Sequence, residues 1–256
     1  MNDLDKYFKV AEEINDKVAV FLLSKFGSIK EITHKTDSHY GIPEDLESNN
    51  MYEDFLKTET PEIALYTEEG EKNLNNDYVW VIDPIEGTSN YRAGNPFWAT
   101  QIALIYKNEP VIGIVNAPFL KQKFHAIKGL GAYLNGNKIN CSDLSDLNKA
   151  LVDMGRGMKD EDKDWFSLTL AKLIKKIRTN RVFGACGLDI SYCAAGMTDA
   201  FLNSGTQIYD VMAGLLIAKE AGAKVLNFEG KDWSINDKTF LVSNELLAKD
   251  ILKIIV

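Results

Sequence analysis

The residues of this chain best suited to chemistry are carboxylates held on turns. In Tyr78-Val79-Trp80-Val81-Ile82-Asp83-Pro84-Ile85-Glu86-Gly87-Thr88-Ser89-Asn90-Tyr91 a β-branched and aromatic run stops at Asp83-Pro84. Such a run reads as a strand buried on both faces. Proline presets a turn, and Gly87 permits positive φ or a close backbone approach. Asp83 and Glu86 are therefore predicted at the mouth of a rigid strand. Thr88 and Ser89 follow, with hydroxyls and backbone N–H groups where an anion could be received. Carboxylates, N–H groups and a hydroxyl together suit a divalent cation with a phosphate, because hard Mg²⁺ takes oxygen ligands and fills its shell with phosphate and water. Read alone, the stretch is more simply a strand closed by a proline-initiated turn.

Other elements must bring the remaining donors. Ile63-Ala64-Leu65-Tyr66 is a short strand ending in Thr67-Glu68-Glu69-Gly70, so it too delivers acids to its carboxyl end, the edge where open α/β sheets bind ligands. Read alone, that turn is solvated. Asp210 in Ile208-Tyr209-Asp210-Val211-Met212-Ala213-Gly214 opens a helix that runs to Glu220, where an N-cap is the ordinary role. Ala213 and Gly214 would let that helix approach a neighbour closely. Pro43-Glu44-Asp45 reads as the first turn of an earlier helix, with Asp45 offsetting its dipole.

The rest of the chain falls into two patterns. Leu4, Phe8, Ala11, Ile14, Val18, Phe21 and Leu22 recur at helical spacing over residues 3 to 25, and Gly27 closes the helix. Lys35 to Gly41 reads as a loop. Phe97 to Tyr106 and Val111 to Pro118 read as an antiparallel pair, and Asn135-Gly136 marks a further hairpin. From Ala150 strands and helices alternate: strands over Leu151–Met154, Arg181–Phe183, Asp199–Leu202, Ala223–Phe228 and Thr239–Ser243, with helices over Lys163–Ile177, Gly187–Ala195 and Leu246–Ile255. A soft boundary near residue 142 divides an α+β half (1–142) from an α/β half (143–256).

Composition sets bounds on function. At 256 residues with 45% hydrophobic content the chain can bury a large core. Its net charge of −8, from 29 basic and 37 acidic residues, makes a nucleic-acid backbone an unexpected partner. No apolar run approaches the ~18 residues of a membrane span. Met1-Asn2-Asp3-Leu4-Asp5 lacks the features of a signal peptide, so the cytoplasm is the expected compartment. Cys141, Cys186 and Cys193 are odd in number and lack C-x-x-C spacing, as small core residues would. His34, His39 and His125 show no ligand spacing, and there is no Walker loop or G-x-S-x-G elbow.

Three elements thus bring acids to a loop or helix start: Glu68, then Asp83 and Glu86, then Asp210. That order, with Gly87-Thr88, Asp45 and the Trp-x-Ile-Asp-Pro-Ile-acid-Gly-Thr run, resembles the inositol monophosphatase family of Mg-dependent, lithium-sensitive phosphatases. The resemblance spans Lys35 to about Val225 and implies a layered αβαβα sandwich, a small phosphorylated metabolite as substrate, two or three Mg²⁺ ions, and a homodimer. It implies that Glu68, Asp83 and the Ile85 carbonyl hold a first Mg²⁺, and that Asp83, Glu86 and Asp210 hold a second. Gly87 and Thr88 would bind phosphate, Asp45 would orient the Thr88 hydroxyl, and Glu68 with both would place the attacking water. Gly184, Ala185, Cys186 and Asn203 would meet the substrate.

The chain departs from the family pattern at four positions. Glu86 stands for aspartate, Thr67 for glycine, Tyr209 for tryptophan and Asn203 for glutamate. The reaction implied is hydrolysis of an inositol-1-phosphate-like monoester. Asn95-Pro96-Phe97-Trp98-Ala99-Thr100 also resembles the histidinol-phosphate phosphatase branch, and a non-catalytic relative that binds a phosphorylated ligand is the third reading.

Overall fold

The computed structural model of the chain describes residues 3–28, 33–34 and 40–255. Helices α1 (Asp3–Lys25) and α2 (Pro43–Glu59) flank a small ladder of β1 (Thr33–His34) and β2 (Tyr40–Gly41). Residues 35–39 of the expected loop lie outside the described residues. A seven-stranded sheet follows in chain order: β3 (Ala64–Thr67), β4 (Tyr78–Glu86), β5 (Ala99–Tyr106), β6 (Glu109–Ala117), β7 (Gln122–Ile127), β8 (Ala132–Leu134) and β9 (Asn137–Ile139). Within this sheet β3 and β4 run parallel and the other neighbours antiparallel, which places the carboxyl ends of β3 and β4 at one edge. Helix α3 (Thr88–Ala93) lies between β4 and β5. Asn135 and Gly136 turn β8 into β9 with φ of 50° and 79°, as a two-residue hairpin that matches strand twist requires.

The second sheet takes β10 (Leu151–Met154), β11 (Thr179–Arg181), β12 (Ala200–Ser204), β13 (Lys224–Leu226) and β14 (Thr239–Ser243), in the order β11-β10-β12-β14-β13. Helices α4 (Asp160–Leu173), α5 (Cys186–Ala194), α6 (Ile208–Glu220) and α7 (Glu245–Ile255) complete the chain. Helix α4 begins three residues earlier than its apolar spacing predicts, because Asp160, Glu161 and Asp162 make a first turn favoured by the helix dipole. Strand β11 likewise precedes the expected Arg181–Phe183. Val182 is exposed, and Phe183 leaves the sheet to stack on Phe97.

Side-chain alternation builds the layers. Trp80 and Ile82 of β4, Ile102 and Leu104 of β5, and Ile112 and Ile114 of β6 pack on Ala11, Ile14, Val18, Tyr52 and Leu56 of α1 and α2. The intervening residues Val79, Val81, Ala103 and Val115 face Leu188, Val211, Met212 and Leu215 of α5 and α6. Those helices also cover Phe201, Phe240 and Val242 of the second sheet, whose other face, with Val152, Met154 and Leu241, packs on Leu173, Leu247 and Ile251. The result is helix, sheet, helix, sheet, helix: the five-layered αβαβα sandwich. Close approach at the centre rests on glycine. A Cβ on Gly214 would lie 3.0 Å from the Gly187 carbonyl oxygen, and one on Gly113 would lie 2.6 Å from that of Ala213.

One strand ends differently from its sequence expectation. β4 does not stop at Asp83 but continues to Glu86 through an irregularity: Asp83 pairs with Gln101 and Glu86 with Ala99. Two residues, Pro84 and Ile85, oppose Thr100 alone. A bulge tolerates proline, which cannot donate to the ladder. The extra residue also reverses the alternation, so Asp83 and Glu86 share the face toward α5 and α6 while Ile85 packs toward α1 and α2.

Candidate active site

The parallel ends of β3 and β4 bring the first acids together. Glu68 follows β3 and its N–H donates to the Ile82 carbonyl (3.1 Å). Asp83 is buried and its Oδ1 accepts the N–H of Ile85 (3.1 Å). Asp210 arrives from the other half on α6 as the third residue of the helix rather than its N-cap; its Oδ2 accepts the Gln207 N–H at 2.8 Å. Asp45 occupies the same place in α2, where its Oδ2 accepts the Ile42 N–H at 2.8 Å. Each aspartate thus satisfies a first-turn donor with one oxygen.

Glu86 behaves differently. Its Oε2 accepts the Gly187 N–H (2.6 Å) and the Gln101 Nε2–H (2.7 Å), and its Oε1 accepts the Cys186 N–H (2.9 Å). Sequence reading missed Gln101, although a glutamine inside the apolar run of β5 was the available signal. It also missed Lys72. That ammonium lies 4.6 Å from the Tyr209 ring centre and 5.1 Å from that of Tyr66, and it donates to the Glu68 carbonyl (2.9 Å) and to the Thr67 carbonyl. Tyr209 therefore joins Tyr66 in a cation–π clamp.

Burial and mutual repulsion govern the acids. Asp83 is held well above the ordinary carboxylate range by burial, then by the charges of Glu68, Glu86 and Asp210. Glu86 is pushed up to about 8 by burial and by Asp210, against the pull of the Gly187 and Cys186 N–H groups. Burial raises Asp210 to about 7, opposed by the Gln207 N–H and Lys72 and reinforced by Glu68. Neutralisation of such a cluster needs protons or a cation. The donors are all oxygen, as a hard cation prefers. Among the described residues, no three acid, cysteine or histidine side chains stand together as a finished metal-binding group.

Next to the acids, Gly87 caps α3 at φ 80°, and a Cβ there would lie 3.0 Å from that of Ala185. Thr88 Oγ donates to the Ile85 carbonyl (3.0 Å), so its hydroxyl bonds to the bulge, while Asp45 bonds to its own helix start. Asn90 Nδ2 donates to the Phe97 and Phe183 carbonyls, both at 2.8 Å, and ties α3 to the segment entering α5. A cavity of about 530 Å³ opens here. Glu68, Glu86, Gly87, Thr88 and Asp210 line it, with Gly184, Ala185 and Cys186 on one wall and Asn203 on another. Arg156, Lys159 and Lys238 line it as well. Asp45, Asp83 and Ile85 are not on its lining.

The arrangement matches known proteins over its whole length. The family model of the inositol monophosphatase family matches residues 3–256. A fructose-1,6-bisphosphatase/inositol-1-monophosphatase of Thermotoga maritima is 31% identical over 242 residues, covering 93% of this chain and 91% of that protein. The Nus factor SuhB of Xylella fastidiosa is 34% identical over 197 residues, covering 77% and 72%. Among solved structures, an inositol monophosphatase from Thermotoga maritima superposes with a TM-score of 0.89 at 29% identity, covering 100% of this chain and 97% of its own. The extragenic suppressor protein suhB from Bartonella henselae gives 0.92 at 25% identity, covering 98% of each. The chain belongs to the inositol monophosphatase family, whose members are phosphoric monoester hydrolases.

Proposed function

We propose that this protein hydrolyses the monoester of a small phosphorylated metabolite, an inositol-1-phosphate-like polyol phosphate first, with Mg²⁺ bound at the acids. The observation that carries the reading is that Glu68 and Asp210, from separate elements, line one cavity with the left-handed Gly87, while Asp83 of a third element lies buried within reach of both their charges. Glu68, Asp83 and the Ile85 carbonyl would hold a first ion, and Asp210 would face a second. When bound, such ions neutralise phosphate charge and raise the acidity of a water.

The protein's own groups supply placement, which is most of what phosphoryl transfer requires. The first-turn N–H groups after Gly87 would receive phosphate oxygens. Glu68 would accept the proton of the attacking water, with the Thr88 hydroxyl and the buried Asp45 keeping that corner of the site in place. Asn203 would meet substrate hydroxyls as a neutral donor and acceptor. Arg156, Lys159 and Lys238 favour esters with a further polar or anionic end. Histidinol phosphate is the second choice, on the Asn95 to Thr100 run, and a homodimer is part of the same reading.

Phosphate release with Mg²⁺ from inositol 1-phosphate, histidinol phosphate, fructose 1,6-bisphosphate and adenosine 3′,5′-bisphosphate tests the proposal. One preferred ester, lost with Asp83→Asn or Asp210→Asn, is the expected result. No release from any of them by folded protein would overturn it and leave the non-catalytic reading.

A further inference from the structure

The surroundings of Glu86 fit one another too closely for a side chain waiting on a cation. A carboxylate offers about four lone-pair directions. Three of these already meet donors: Gly187 N–H at 2.6 Å, Gln101 Nε2–H at 2.7 Å and Cys186 N–H at 2.9 Å. The side chain is 5% exposed and Gln101 is 1% exposed. Two of the donors are first-turn amides of α5, which have no partner inside their own helix. The residue before that helix, Ala185, has no side chain to cap it. Glu86 caps α5 instead, from a strand 101 residues away in sequence. A carboxyl acceptor at a helix N-terminus satisfies amides that the helix leaves unpaired and lies where the helix dipole favours its ionised form.

Gln101 and Gly187 are shaped to this contact. Gln101 stands opposite Asp83 in β5, on the face that the bulge gives to Glu86. A Cβ on Gly187 would lie 2.3 Å from Gln101 Oε1 and 3.0 Å from Glu86 Oε2, so only glycine leaves room for both. An aspartate, one methylene shorter, would not reach the two amides from the same backbone. The longer side chain is what lets β4 hold α5.

We infer that Glu86 is a positioning residue: it fastens the start of α5, and with it the cavity wall at Cys186, to the central strand, and it is withdrawn from the second cation. As far as it concerns a cation, the inference rests on the reading under Proposed function; the cap does not. The site then binds Mg²⁺ at Glu68, Asp83 and the Ile85 carbonyl, with Asp210 as the one remaining side chain for a second ion.

The test compares wild type, Glu86→Asp and Gln101→Met, first free of metal and then titrated with Mg²⁺. Amide hydrogen exchange of residues 184–190 is expected to quicken about tenfold or more in Glu86→Asp, with a lower Tm, because the cap is lost. Calorimetric titration should find one more Mg²⁺ bound per chain in Glu86→Asp than in wild type. Gln101→Met should lower Tm and leave the Mg²⁺ count unchanged, which keeps the test open if Glu86→Asp does not fold. Unchanged exchange over 184–190 in Glu86→Asp, or loss of a bound Mg²⁺ from it, would overturn the inference, as would loss of a bound Mg²⁺ from Gln101→Met. If no ester is hydrolysed, the exchange result still decides the cap, so the two readings fail separately.

Discussion

Asp83 shows how one carboxylate is torn between folding and function. It lies 3% exposed among Glu68, Glu86 and Asp210, a place that costs free energy while it is charged and no cation is present. Asp83→Asn is therefore expected to raise the Tm of the metal-free protein by about 2–4 °C, the equivalent of ~1 kcal/mol in a chain of this size. The same change should abolish the rise in Tm on adding Mg²⁺ and lower kcat/KM at least ~100-fold, since groups that merely orient a ligand already cost 10–100-fold. Thermal scans with and without Mg²⁺, beside the phosphate-release assay, check all three. The acids as a set give a pH dependence. The pKa values of Asp83, Glu86 and Asp210 are raised in the folded state, so the metal-free protein binds more protons than the unfolded chain and stability falls as pH rises. That loss should begin near pH 4, the unfolded carboxylate value, and run through about pH 8, where Glu86 is half ionised. Mg²⁺ displaces those protons, so its stabilising shift should grow over the same window. Thermal scans from pH 5 to 8.5 with EDTA or Mg²⁺ read both slopes. At this scale the sequence was legible where punctuation marks chemistry, as at Asp83-Pro84 and Gly87. The partners of Glu86 were not legible, because Gln101 and Gly187 are brought to it only by tertiary packing.

Elements explain why the acids converge. β3 and β4 are parallel strands that end at one edge, and α6 enters that edge from the second half with its first turn. Apolar runs and helical spacing made these elements readable. The continuation of β4 was not, since a proline usually ends a strand and a bulge depends on the partner strand for its register. Helix positions depend on glycines that sequence alone leaves ambiguous. Gly113 in β6 faces the backbone of Ala213, where an added Cβ would sit 2.6 Å from oxygen and 3.0 Å from Cα. Backbone cannot swing aside as a side chain can, so Gly113→Ala should push α6, and Asp210 with it, away from the sheet. A loss of about 2–3 kcal/mol is expected, or a Tm lower by about 5–10 °C, with weaker Mg²⁺ binding.

The whole molecule is bound together by its middle layer. α5 and α6 bury Val79, Val81, Ala103 and Val115 of the first sheet on one side and Phe201, Phe240 and Val242 of the second on the other, in one continuous core. The pattern change near residue 142 made the two sheets legible but not their shared core: the run Val211 to Ala218, apolar on every face and wholly buried, marks a helix covered on both sides, but spacing along the chain does not say which two sheets cover it. A chain of 256 residues would ordinarily unfold through intermediates, one layer at a time. Here neither sheet has a finished core without α5 and α6, so loss of either half exposes the inner face of the other. Trp80 and Trp98 are buried beside α1 and α2, whereas Trp165 stacks on Phe228 in the outermost cluster beyond the second sheet. Variants that keep tryptophan only in the first region or only in the second therefore report on opposite ends of the sandwich. In each variant the urea midpoint read by tryptophan fluorescence is expected to coincide with that read by far-UV circular dichroism; a separation greater than about 0.5 M within one variant would mean that the halves melt independently and that the middle layer belongs to only one of them.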